Sequence, residues 1–249
     1  MYAQEFKDFY MQLAQNNSQL ALNKFGQNLL FPNSSECATR RDYIIHRLGA
    51  SSQQLMILKQ VIENQASSYL SAKVNTGKML EYTFNAINQV SYCFDNLIFN
   101  LASLSDYFGN YLGLYLFGQE FQNLKWNGFV LKTKEMYANH QFQQTVTHED
   151  NNWFDKLHGY RGDIIHRKAI LVEVDGFENK RVFPHTVEKL KFTINTSLKK
   201  HFHILRKSES NDLLKCAEMI SLRTINGLSC MLESSESIEF DASYKNFSL

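Results

Sequence analysis

The chain has 249 residues, with 26 Lys and Arg against 25 Asp and Glu and a net charge of +1. That length can bury a large core, as one large domain or two small ones. The balanced charge excludes a long-range basic field, so any nucleic-acid contact has to be a local patch. Pro32 and Pro184 are the only helix breakers of their kind among many Leu, Phe, Tyr, Gln, Asn and Lys. That balance favours long helices over a sandwich or barrel.

Phe6, Phe9, Tyr10, Leu13 and Leu20 recur at three- and four-residue steps and predict a short helix over 1–22. The first eight residues carry charges without an apolar core, so no secretion signal is expected. Gly26 to Ser35 reads as a loop around Pro32. A second helix is predicted over 51–72, with Ser51 or Ser52 as its cap. From Ile87 through Val90, Phe94, Leu97, Leu101, Leu104 and Phe108 to Tyr111 and Tyr115, apolar residues alternate three- and four-residue steps without a break. They predict one seam on a helix about 50 Å long, the main strut of a bundle. Asn100, Asp106 and Asn110 interrupt its most apolar part, so no membrane span is expected.

A further helix is predicted over 126–143, starting after Asn127-Gly128. His148 to Asn151 reads as a loop whose acid and amide groups cap a helix from about Asn152. On that helix Trp153, Leu157, Tyr160 and Ile164 follow at helical steps. The period then changes. Leu171 to Val174 reads as a strand turning at Asp175-Gly176, with shorter strands at Arg181 to Phe183 and Lys191 to Ile194. A last helix is predicted over 211–232, capped by Ser210 or Asn211, before a serine-rich acidic tail. The expected organisation is mainly α. Residues 1–75 form an N-terminal helical arm, separate or part of the same domain, and residues 76–249 form a bundle with a β insertion at about 171–206.

Cys37, Cys93, Cys216 and Cys230 make no CxxC pair and no zinc spacing, and read as reduced thiols of a cytoplasmic protein. His201 and His203 would put two imidazoles on one strand face, but no third ligand is evident, so no metal is expected. No phosphate loop, GxGxxG, nucleophile elbow or HExxH occurs. ATPase, dehydrogenase, α/β-hydrolase and zinc-protease chemistry are therefore not indicated, and no cofactor is expected.

The chemistry-bearing segment is Arg161-Gly162-Asp163-Ile164-Ile165-His166-Arg167, which places two guanidiniums, an acid and an imidazole on one amphipathic helix. Those groups can hold a phosphodiester and move a proton near neutral pH. An early segment, Arg41-Asp42-Tyr43-Ile44-Ile45-His46-Arg47, repeats Arg, Ile, Ile, His and Arg in register. The bland alternative is a solvated ion-pair face on Arg161, Asp163 and Arg167, with His166 a satisfied half-buried histidine.

A long apolar helix followed by a helix carrying Arg-x4-His resembles the HEPN superfamily, over about residues 84–232. The resemblance implies a helical bundle, metal-independent endoribonuclease activity, a homodimer, and a role as a toxin or in antiviral defence. It also allows a member that has lost catalysis and only binds a nucleotide or a regulatory protein partner. Arg161 matches the family arginine and His166 the family histidine. The family usually has a polar residue directly after the arginine, where this chain has Gly162 and then Asp163. The early copy keeps that polar residue as Asp42, next to Arg41 and ahead of His46.

Five residues of helix turn by about 500°, so Arg161 and His166 are expected about 140° apart and ~7.5 Å along the axis. So splayed a pair works best from the rim of a cleft that a second motif helix faces, which favours a site shared across a two-fold axis. In that site Arg161 and its twin bind the scissile phosphate, while His166 and its twin serve as base and acid. Asp163 orients His166 or pairs with Arg167. Tyr160 is a candidate to stack a base, with core packing as the other reading. Asp106 on the long helix is a candidate to hold the motif arginine from behind.

Overall fold

The computed structural model describes residues 4, 6–9, 11–13, 36–73, 79–117, 124–167, 172–174, 190–206, 208 and 210–238. Within these, the side chains of 36–38, 70–73, 79–80, 115, 166 and 167 lie outside the description. The predicted loop at 26–35, the strand at 181–183, the Asp175-Gly176 turn and the tail beyond 238 also fall outside it.

The described chain is mainly α with one small sheet. Helix α1 spans Glu36–Lys73 and α2 spans Met79–Phe117. Then come α3 (Trp126–Met136), α4 (Gln141–Glu149), a π-helical turn (Asp150–Phe154) and α5 (Asp155–Arg167). Strands β1 (Val172–Val174) and β2 (Phe192–Ile194) pair antiparallel, Val172 opposite Ile194 and Val174 opposite Phe192. Helices α6 (Thr196–His201), α7 (His203–Arg206) and α8 (Leu213–Ser235) follow. The described residues between 4 and 13 are helical, and Phe6, Phe9 and Leu13 are buried as their spacing predicts.

The long seam is present as read. Val90, Phe94, Leu97, Leu101, Leu104, Phe108 and Tyr111 are all fully buried along α2. Each such side chain contributes about 1.5–3 kcal/mol by leaving water. Helix α1 differs from expectation, because it starts well before Ser51. Ile44, Leu48, Ser51, Leu55 and Leu58 form one buried stripe at three- and four-residue steps, so Ser51 packs inside the helix and caps nothing. The stripe outweighs Gly49, a helix-interior glycine with a penalty of about 1 kcal/mol.

The predicted single helix over 126–143 is broken. Asn139 adopts a left-handed φ of 66°, and His140 Nδ1 accepts the Phe142 amide at 3.1 Å to start α4. Asparagine tolerates that conformation better than most residues, which is why the break falls there. At the start of α3, the Trp126 amide donates to Asp106 Oδ1 at 3.0 Å. Conversely, the loop expected at 148–151 is helical. The π turn carries the chain through it, and its neighbouring residues Trp153 and Phe154 are both buried. Trp153 Nε1 donates to Thr224 Oγ1 at 3.0 Å, and the Phe154 ring lies 4.4 Å from that of Trp126.

Two more boundaries move. The residues 201–203, expected on a strand, end α6 and begin α7 instead. The cap of α8 is Asp212, whose Oδ1 accepts the Lys215 amide at 2.9 Å, while Ser210 Oγ accepts the Asp212 amide.

Packing divides the chain into two units, one of residues 1–50, 100–155 and 222–249, the other of residues 51–99 and 156–221. Helix α1 is one helix that serves both units. Its Ile44 and Leu48 belong to the first, its Leu55 and Leu58 to the second. The first unit is rich in rings, with Phe9 against Phe108 and Phe117 and Trp126 each against Phe129. The second holds the sheet, the short helices and the motif helix α5.

Among the described glycines, Gly227 of the first unit leaves the least room for a side chain. A Cβ there would sit 2.7 Å from Glu149 Oε2, 3.0 Å from Arg223 Nη1 and 3.0 Å from Phe154 Cε2. Gly227→Ala is expected to lower the unfolding free energy by roughly 1–3 kcal/mol in urea titration, as overpacking does. Gly162→Ala is the matched control. A Cβ at that position meets nothing within 4 Å, so the variant should be neutral or gain up to about 1 kcal/mol of helix propensity.

Candidate functional site

Helix α5 presents its motif in a graded way. Leu157 and Tyr160 are buried, Arg161, Gly162, Asp163 and Ile164 are half-buried, and Ile165 is 56% exposed. His166 and Arg167 are helical in backbone, with side chains outside the description. Arg161 and Asp163 therefore lie at the water-facing margin of a packed helix. Gly162 sits in open space, so packing does not explain the glycine where the family pattern has a polar residue.

Tyr160 anchors this helix. Its ring is 1% exposed and packs edge-on against Phe94 of α2 at 6.3 Å, and against His201 and Phe202 at 5.6 Å. A ring so enclosed is core, not a platform for a base. The Tyr160 hydroxyl lies beside the Asp95 carboxylate without completing a well-formed hydrogen bond. Burial drives that hydroxyl far above its ordinary value, helped by the negative charges of Asp95 and Asp163. Tyr160 thus stays neutral, a polar group held in the core. His201 fastens the same helix from the other side, with Nε2 donating to the Lys156 carbonyl at 2.7 Å. That hydrogen bond fixes the imidazole tautomer.

Asp95 went unmarked in the sequence. Its signal was an acid directly after the seam residue Phe94. Burial raises its pKa from 3.8 to about 6, with the Tyr160 hydroxyl pulling the other way. The native state therefore holds this proton more tightly than the unfolded chain does. The resulting stabilisation is full below pH 3.8 and is lost as the pH rises through about 6. Asp95→Asn should remove this fall. At pH 7.5 the variant is expected to be roughly 1 kcal/mol more stable than the wild type, allowing for solvent screening of a half-buried group. Thermal unfolding at pH 4 and pH 7.5 measures it, and a variant that keeps the wild-type pH slope contradicts it.

The early motif lies in the first unit, the late one in the second. Arg41 pairs with its neighbour, with Nη2 at 2.8 Å and Nε at 3.0 Å from Asp42 Oδ1. His46 is exposed. Arg47 donates to Asn100 Oδ1 at 3.2 Å and lies over the Tyr107 ring at 5.6 Å. Asp106, expected behind the motif arginine, belongs to the first unit and serves the start of α3.

The first unit also holds a cavity of about 640 Å³, lined by Gln141, Gln144 and His148 of α4 and by Cys230, Glu233 and Ser234 of α8. Glu149 forms part of its wall, with Oε2 2.6 Å from Arg223 Nη1. Arg223 in turn lies over the Trp153 ring at 5.8 Å. Pairing positions 149 and 223 needs the fold, so no sequence spacing announced it. Among the described residues, Cys93, Cys216 and Cys230 are free thiols. Burial is the first cause holding each above its ordinary range, with Cys216 at about 11. Weakly ionised thiols are poor nucleophiles. No group of three His, Cys, Asp or Glu is arranged for a metal among the described residues, and none of their helices is long and apolar enough to cross a membrane.

Compared with known proteins, the chain matches no family model, no curated protein and no solved structure. The HEPN resemblance therefore stands on the Arg161 to His166 segment and the long seam helix alone.

Proposed function

We propose that the protein is a metal-independent endoribonuclease of HEPN type, a cytoplasmic homodimer acting as a toxin or in antiviral defence. The observation that carries the reading is the placement of Arg161 and Asp163 at the solvent margin of α5, directly after the core-anchored Tyr160. A helix locked by packing holds such groups with the precision that catalysis needs.

Arg161 and its symmetry mate bind the scissile phosphate and stabilise the charge that develops on its oxygens. One His166 takes the proton of the 2′-hydroxyl as that oxygen attacks phosphorus. The other protonates the departing 5′-oxygen. The products are a 2′,3′-cyclic phosphate and a 5′-hydroxyl, and the need for a 2′-hydroxyl restricts cleavage to RNA. Asp163 orients His166 or pairs with Arg167.

A second reading is a catalytically silent helical module that binds a partner protein or a nucleotide. Gly162, standing where the family has a polar residue, favours it. Incubation of the protein with RNA in EDTA separates the two. Cyclic-phosphate ends that disappear in His166→Ala support the nuclease. Intact RNA with a stable protein complex supports the silent module.

A further inference from the structure

Tyr43 is one of several exposed large side chains among the described residues, and its neighbours set it apart. It is 46% exposed on α1, yet its ring lies 5.6 Å from that of Tyr107 on α2, tilted by 50°. The same Tyr107 ring carries the Arg47 guanidinium at 5.6 Å, and Asn100 Oδ1 holds that guanidinium at 3.2 Å. Arg47 is thus fixed on two sides before any ligand arrives. At about 100° per residue, Arg40, Tyr43, His46 and Arg47 fall within one sector of α1 roughly 120° wide. Asp42 falls about 40° outside that sector, and its charge is taken up by Arg41 at 2.8 Å.

We infer that this face of the first unit binds single-stranded RNA, with a base stacked on Tyr43 and neighbouring phosphates met by Arg40 and Arg47. The inference takes its ligand from the ribonuclease reading and gives the early motif a binding role. Three lines of chemistry favour this occupant. A tyrosine held against a second ring offers an ordered stacking surface for any base. Guanidiniums match phosphate geometry and stack on aromatic faces. Arg40 and Arg47 lie three and four residues from Tyr43 on α1, the spacing that places guanidiniums beside the exposed ring. An extended strand can lay both base and backbone on such a surface, whereas a duplex hides its base faces.

Fluorescence anisotropy with a 2′-O-methyl oligouridylate tests this, because that strand cannot be cleaved by 2′-hydroxyl attack. Tyr43→Ala is expected to weaken binding about tenfold while Tyr43→Phe keeps it. Arg40→Gln should lower the slope of log affinity against log salt by about one. The exposure of Tyr43 makes its truncation harmless to the fold, which circular dichroism checks. A 4-thiouridine strand should also photocrosslink at Tyr43. Unchanged affinity in Tyr43→Ala, or equal binding of polyglutamate, overturns the inference. Binding without cleavage of ordinary RNA by the wild type removes the nuclease reading and leaves this surface standing. Cleavage with unchanged binding in Tyr43→Ala removes the surface alone.

Discussion

His166→Ala is expected to slow RNA cleavage by about 10²–10⁴-fold, the range set by removing a positioned general acid or base. Binding of uncleavable RNA should change far less, since phosphate contacts come from guanidiniums. Arg161→Ala is expected to cost about 10²–10³-fold, the scale for losing one group aimed at developing charge. Arg161→Lys should rescue little, because an ammonium cannot replace a planar fork on phosphate. Single-turnover cleavage in EDTA measures all three. His46→Ala provides the internal comparison. If the early motif contributes an imidazole to chemistry, its loss matches that of His166→Ala. If the site is shared between two copies of α5, His46→Ala leaves the chemical step intact. Mixed dimers sharpen the point. A protomer carrying Arg161→Ala and one carrying His166→Ala should regain partial activity together only if the two helices complete one site. Wild-type protein that leaves RNA intact under these conditions defeats the proposal whatever the variants do.

What the sequence disclosed, and what it hid, follows from the range of the forces involved. The seam from Val90 to Tyr111 was legible because a long run at helical period has one solution, a buried stripe. The β1–β2 pair was partly legible, since Val172 and Val174 alternate with Glu173 as a half-buried strand does. Errors came where a local signal met a tertiary one. Ser51 looked like a cap, but Ile44 and Leu48 upstream extend the same buried stripe. His148 to Asn151 looked like a loop because acids and amides favour helix starts, yet the π turn Asp150–Phe154 carries the helix through them. The break at 137–140 rests on the left-handed Asn139, a backbone state that the residue permits without announcing. For the candidate site, the motif on α5 could be placed on a helix from its spacing. Its support could not. Asp95 meets Tyr160, and His201 meets Lys156, across separations that no periodicity encodes. Tyr160 shows the limit most plainly. A tyrosine next to a motif arginine suits a base or a core equally, and only its burial decides.

Arg223→Met is expected to destabilise the first unit by about 3 kcal/mol, the low end for breaking a buried ion pair by removing one partner. The Glu149 side chain is 8% exposed and that of Arg223 is 22%, with 2.6 Å between the charged atoms. The partial exposure of Arg223 is why the low end applies. Methionine keeps much of the length and apolar stem, so the loss isolates the charge. Glu149 then stays behind as a buried carboxylate facing Phe154 and the Gly227 backbone, with its compensating cation gone. For a chain of this size about 3 kcal/mol corresponds to a fall in Tm of roughly 6–12 °C. The double variant Glu149→Gln with Arg223→Met should recover most of the lost stability at neutral pH, since a neutral amide needs no counter-charge. If the single variant unfolds like the wild type at pH 7.5, Glu149 is not held by Arg223.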